Sequence, residues 1–95
     1  MRVGNFEKQP DERRRLSITY SDALTRGDSV STVELKGIAP AGELTVDTLT
    51  VETPQISFFV EGGVDKSTYI VTVTTTSELG EVFEDEISVR VRERN

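Results

Sequence analysis

The side chains in this chain with chemical capacity are carboxylates, three lysines and a scatter of hydroxyls. Glu78, Glu81, Glu84, Asp85 and Glu86 form an acidic cluster. Paired carboxylates can serve as general acid and base when their surroundings separate their proton affinities. Alternation along an extended segment puts Glu84 and Glu86 on one side and Asp85 on the other, and an exposed polar face accounts for that pattern. A serine–lysine nucleophile requires a lysine whose charge is suppressed by burial. Lys8, Lys36 and Lys66 all fall in the N-terminal segment or near expected strand ends, with nothing to desolvate them. Histidine and cysteine are absent, which removes the usual base, the usual soft nucleophile and thiolate zinc sites. Calcium needs about six converging oxygens. No D-x-D-x-D-G loop is present, and the Gly62-Gly63-Val64-Asp65 turn offers one carboxylate. The composition therefore points away from an enzyme and assigns no catalytic residue, no metal ligand and no cofactor.

Net charge is −6, which argues against direct nucleic-acid binding, since that requires a basic surface to displace counterions. Arg13, Arg14 and Arg15 form a basic run, and Arg90, Arg92 and Arg94 alternate with other residues near the far end. Two readings stand side by side: solvated faces that keep the domain soluble, or complementary charges that steer assembly between subunits. Arg26-Gly27-Asp28 spells an integrin-recognition tripeptide, but Gly-Asp is ordinary turn chemistry. No apolar run approaches the ~18 residues of a membrane span. The first ten residues contain no apolar stretch of the secretory type.

These side chains must be positioned by short extended segments. Leu16, Ile18 and Tyr20 alternate with polar residues over 14–20, the period of a half-buried strand. Further runs cover 29–38, 44–51, 55–60, 68–76 and 82–92, separated by Gly- and Pro-containing turns. Val33 and Leu35 are the inward candidates of the second run. In the third, Leu44 and Val46 share one parity and Leu49 and Val51 the other, which predicts a bulge. Phe59 stands opposite in parity to Ile56, Phe58 and Val60, as a second-face core residue or an exposed aromatic anchor. Strands at this spacing, with no 3.6-residue period, indicate an all-β antiparallel sandwich or barrel, and one local signature favours the sandwich, with about 6–7 strands. Tyr69 opens the penultimate strand after a Gly-rich turn, where immunoglobulin-like domains place a corner tyrosine whose hydroxyl bonds back to upstream backbone. Residues 1–13 are too polar to form a core and read either as an extended arm with Phe6 as its anchor or as a plain disordered leader, leaving 14–95 as the sandwich.

From about residue 8 to residue 93 the chain resembles the small immunoglobulin-like virion proteins of tailed bacteriophages, of the fiber–tail adaptor or neck type. Lys8-Gln9-Pro10-Asp11-Glu12 leads into Leu16-Ser17-Ile18-Thr19-Tyr20-Ser21-Asp22. The Gly27-Asp28 turn and Leu44-Thr45-Val46-Asp47 follow. Val60-Glu61-Gly62-Gly63 precedes Tyr69-Ile70-Val71-Thr72-Val73, and the chain closes on Ile87-Ser88-Val89-Arg90-Val91-Arg92-Glu93. Relatives often carry a Trp where Asp22-Ala23-Leu24 stands here. The resemblance implies a non-enzymatic virion protein, assembled in the host cytoplasm in several symmetric copies. Its partners would be portal, neck, tail or fiber proteins, with neither nucleic acid nor membrane bound. Phe6, Arg13, Arg14, Arg15, Phe59, Arg90 and Arg92 are the expected partner-binding residues. Capsid decoration, or an adhesin or carbohydrate-binding module, are the alternatives.

Overall fold

The computed structural model describes residues 2–93, with side chains from Gly4 onward. Seven strands follow one another: β1 (Arg2–Lys8), β2 (Arg13–Thr19), β3 (Val30–Ala39), β4 (Leu44–Glu52), β5 (Gln55–Gly62), β6 (Ser67–Ser77) and β7 (Val82–Val91). They form two sheets, one of order β1-β7-β6-β3 and the other β2-β5-β4. The architecture is an all-β sandwich, as the alternating sequence predicts.

Inward positions recur at period two because successive side chains point to opposite faces. Leu16 and Ile18 of β2 meet Ile56, Phe58 and Val60 of β5, and Tyr69, Val71 and Val73 of β6 meet Ile87, Val89 and Val91 of β7; all are buried. Burying a side chain of this kind contributes roughly 1.5–3 kcal/mol, so the β2–β5 and β6–β7 pairs carry most of the core. The Tyr69 hydroxyl accepts a 3.0 Å hydrogen bond from the Val64 N–H, the backward link expected of it. In β4 the pairing with β5 is irregular between Asp47 and Thr50, and Thr48 has φ 54°. That irregularity is the predicted bulge.

Three details differ from the sequence reading. The segment expected to be an arm is a strand: residues 4–8 of β1 run parallel to β7, with Gly4, Phe6 and Lys8 opposite Ile87, Val89 and Val91. Its inward positions include a glycine and a lysine, so no apolar period marks it. Leu35 is 36% exposed, because the register of β3 shifts between Leu35 and Gly37 at the sheet margin. Lys8 is completely buried, where the sequence showed nothing to desolvate it.

Lys8 survives burial because its ammonium is caged by carbonyls. It donates to Gly62 at 2.6 Å, Gln9 at 2.7 Å and Pro10 at 3.3 Å. Burial pushes its pKa below the ordinary lysine value, opposed by Glu12, Asp11 and Glu61. The cage ties the end of β1 to the end of β5, one sheet to the other. At the opposite end of the core the Tyr20 hydroxyl donates to Asp85 Oδ2 at 2.8 Å and lies 3.0 Å from Thr75 Oγ1. Desolvation drives the Tyr20 phenol well above its usual pKa. Two buried polar links therefore close the two ends of an otherwise apolar sandwich.

Candidate functional site

Outer surfaces are what this fold leaves for recognition, and the expected partner-binding residues divide into two groups. Arg13 and Arg15 project from β2 onto the outer face of the three-stranded sheet, where neighbouring strands supply carboxylates. Arg13 forks onto Asp47 at 2.8 and 3.1 Å and reaches Glu61 at 3.1 Å. Its guanidinium also lies 4.4 Å from the centre of the Phe59 ring. The hydrogen bond from Arg13 holds the Asp47 carboxyl below the usual range. Arg15 pairs with Glu52 and donates to Ser57 at 3.3 Å. Phe59, expected as either core or bare anchor, is half-buried beneath this lattice.

Arg14 shares the inward parity of Leu16 and sits at the rim, 5.2 Å from the ring centre of Phe6 and 3.6 Å from Glu12. Phe6 itself packs partly buried against the core. The structure thus engages Phe6, Arg13, Arg14, Arg15 and Phe59 within their own molecule.

Arg90 and Arg92 are different. Both are exposed, and neither forms a salt bridge with another described residue. With Lys66 they line a shallow groove of about 430 Å³ whose remaining walls are Asp65 and Glu93. Asp65 is already occupied, accepting the Glu93 N–H at 2.8 Å. Arg94, the third member of the alternating series, lies outside the described residues.

The predicted acidic cluster is dispersed. Asp85 is buried against Tyr20, whereas Glu84 pairs with Lys36 on the outer face of the four-stranded sheet. Glu78 and Glu81 remain exposed at the β6–β7 hairpin tip. Among the described residues no group of three or more acidic side chains converges on a metal position. In the Arg26-Gly27-Asp28 turn, Asp28 Oδ1 accepts the N–H groups of Ser29 at 2.8 Å and Leu79 at 3.0 Å. The tripeptide is turn and hairpin chemistry.

Sequence reasoning missed two features of this surface. Leu79 and Val82 are 68% and 64% exposed at the hairpin tip, in a position that their residue types did not disclose. The other is the quality of the strand edges. Strands β1, β3 and β4 all have register irregularities, whereas β2 pairs with β5 residue for residue from Arg13 to Thr19. Among the described residues no strand lies on its other side. The Arg13 and Arg15 guanidinium groups, drawn across the sheet toward β4 and β5, leave that edge uncovered by their charge.

A sandwich with an open regular edge and charged outer faces presents the surfaces of a protein-interaction domain. Residues 8–90 match the family model described as "Podophage GP4 fiber-tail adaptor protein gp77", and the chain belongs to that family. It is a virion structural adaptor of phage. No curated protein matches the chain. Among solved structures it is similar to part of a 2,6-sialyltransferase from the Vibrionaceae bacterium Photobacterium sp. JT-ISH-224, solved with CMP and lactose. The likeness has a TM-score of 0.51 at 15% identity, over 97% of this chain and 17% of that one. It speaks for the fold alone.

Proposed function

We propose that the domain acts without catalysis, joining a fiber to the tail by offering the free edge of β2 to an extended segment of another virion protein. An exposed edge carries unpaired backbone N–H and C=O groups, and strand addition satisfies them while side-chain pockets set specificity. The observation that carries this reading is the unbroken seven-residue register of β2 against β5. Bulges are one protection of an edge, and the β2–β5 register has none. Membership of the adaptor family supports a role in the virion, with several copies of the chain assembled in the host cytoplasm.

The strand order supports an immunoglobulin-like reading. Sheets β2-β5-β4 and β7-β6-β3 follow the B-E-D and G-F-C order of that fold. Tyr69, near the start of β6, occupies the place of its corner tyrosine.

Amide hydrogen exchange on the full chain, with and without the purified fiber and tail proteins, tests the edge. Addition of the cognate protein is expected to slow exchange at alternate residues of 13–19, the spacing of outward N–H groups. Protection confined to other surfaces, with β2 unchanged, overturns the edge assignment.

A further inference from the structure

The two ends of the β6–β7 hairpin carry opposite charge and matching apolar groups. We propose that they bind each other between copies of this chain: the hairpin tip of one protomer docks into the Lys66–Arg90–Arg92 groove of the next, head to tail. This inference rests on the adaptor reading above, in which several copies assemble, and adds the contact that joins them.

The tip is Glu78-Leu79-Gly80-Glu81, followed by Val82. Exposed Leu79 sits between two exposed carboxylates, and exposed Val82 follows the second. Neither Glu78 nor Glu81 has a salt bridge to a described residue; the Glu81 carboxylate accepts the Thr25 hydroxyl at 2.7 Å. The turn is also fixed in shape. Gly80 N–H donates to Ser77 O at 3.0 Å, Glu81 N–H to Ser77 Oγ at 3.0 Å, and Leu79 N–H to Asp28 at 3.0 Å. A backbone held this way has little further freedom to lose on docking, so an exposed leucine on a pinned turn is a well-placed anchor.

The groove at the other end supplies the complement. Its walls carry three cations against two carboxylates, Asp65 and Glu93. That is a local excess of positive charge in a chain of net charge −6. Val64, 45% exposed, lies on the same turn as Lys66 and gives Leu79 an apolar surface to meet. The turn is anchored as well: Lys66 N–H donates to Val91 O at 2.8 Å and Ser67 N–H to Val64 O at 3.1 Å.

The contact has to form in trans. Ladder pairs run from Ser67 opposite Val91 at the groove end to Thr76 opposite Val82 at the tip end. At about 3.3 Å per residue the two ends are roughly 30 Å apart, within a molecule 46 Å long. A surface that meets a different surface of the next copy is heterologous, and such contacts close into rings when the rotation per subunit allows. Opposite charges at the two ends also disfavour tip-to-tip and groove-to-groove encounters, which fixes polarity.

The test is sedimentation equilibrium of the purified chain and two charge-reversed variants, Glu78→Lys/Glu81→Lys and Lys66→Glu/Arg90→Glu/Arg92→Glu. Wild type is expected to self-associate, with at least a tenfold weaker constant in 0.5 M than in 0.05 M salt. Each variant alone is expected to be monomeric. An equimolar mixture of the two is expected to associate again, because both swapped ends then find complements. Leu79→Ala, at an exposed site, is expected to retain the fold by circular dichroism and weaken association at least fivefold. A wild type that stays monomeric to 0.5 mM in low salt overturns the proposal, as does a mixture that fails to restore association. A monomeric wild type that still captures fiber or tail protein defeats the head-to-tail contact and leaves the adaptor reading standing. One that captures neither defeats both.

Discussion

The arginines of β2 and those of β7 look alike in sequence and do opposite things in the structure. Arg13 and Arg15 are engaged across the outer face of the three-stranded sheet by Asp47, Glu61 and Glu52. Arg90 and Arg92 face a groove with no salt bridge to a described residue. A cation already paired within its own sheet organises that surface, whereas an unpaired one is available to another molecule. In the two proposals above, main-chain recognition falls to the β2 edge and charge recognition to the β7 end.

The most disruptive way to probe this comparison is to disturb the link between the two sheets. A Cβ at Gly62 would lie 2.5 Å from the backbone oxygen of Glu43, at φ 79°. Gly62→Ala is therefore expected to cost about 3 kcal/mol, from left-handed strain and overpacking together, read as a lowered urea midpoint. Lys8→Met would remove the ammonium donor from the carbonyls of Gly62, Gln9 and Pro10, of which Gln9 keeps the Glu12 N–H at 3.1 Å. A loss of about 2–3 kcal/mol is expected, the cost of stranding buried acceptors. A midpoint unchanged in Lys8→Met would show that the cage does not hold the sheets together.

At the other end of the core, Tyr20→Phe removes the donor to buried Asp85. Chemical denaturation should register a loss of about 2 kcal/mol, with fiber and tail binding retained in the folded fraction. Substitutions at the arginines sharpen the contrast at smaller cost. Arg13→Ala/Arg15→Ala is expected to lower the urea midpoint slightly, and that difference should shrink in high salt as screening weakens the lost pairs. Arg90→Ala/Arg92→Ala is expected to leave the midpoint unchanged and abolish self-association.

Acid provides the mildest perturbation. Asp47, held low by Arg13, and Glu84, held low by Lys36, have folded pKa values below their ordinary 3.8 and 4.5. Groups depressed in the folded state contribute stability that is present above the unfolded pKa and lost as pH falls through the folded one. Stability should therefore be flat from pH 7 to about 5 in this respect and decline below about 4. Glu84→Gln should remove part of that decline in a pH series of urea midpoints.

The sequence disclosed the sandwich wherever strands were half-buried, because Leu16 and Ile18 or Tyr69, Val71 and Val73 write the alternation in apolar letters. It concealed β1, whose inward residues Gly4, Phe6 and Lys8 share no hydropathy. The bulge of β4 was legible, since a parity switch between Val46 and Leu49 has few other causes. Pairing was not. Whether Arg13 meets Asp47, and whether Arg90 has a salt-bridge partner among the described residues, depends on which strands become neighbours, and β2 reaches β4's carboxylates only across β5. Lys8 was misread for the same reason: its cage is assembled from Gly62, far along the chain, as well as from adjacent carbonyls. Exposure of Leu79 and Val82 likewise follows from hairpin closure rather than from residue type.

The division of labour between the two arginine groups can be tested in one binding experiment. Wild type, Arg13→Ala/Arg15→Ala and Arg90→Ala/Arg92→Ala are each sized by light scattering alone, then mixed with the fiber and tail proteins for amide exchange. The account predicts protection along 13–19 in all three, with self-association missing only from the Arg90→Ala/Arg92→Ala chain. Self-association that survives in that chain and fails in Arg13→Ala/Arg15→Ala would contradict it.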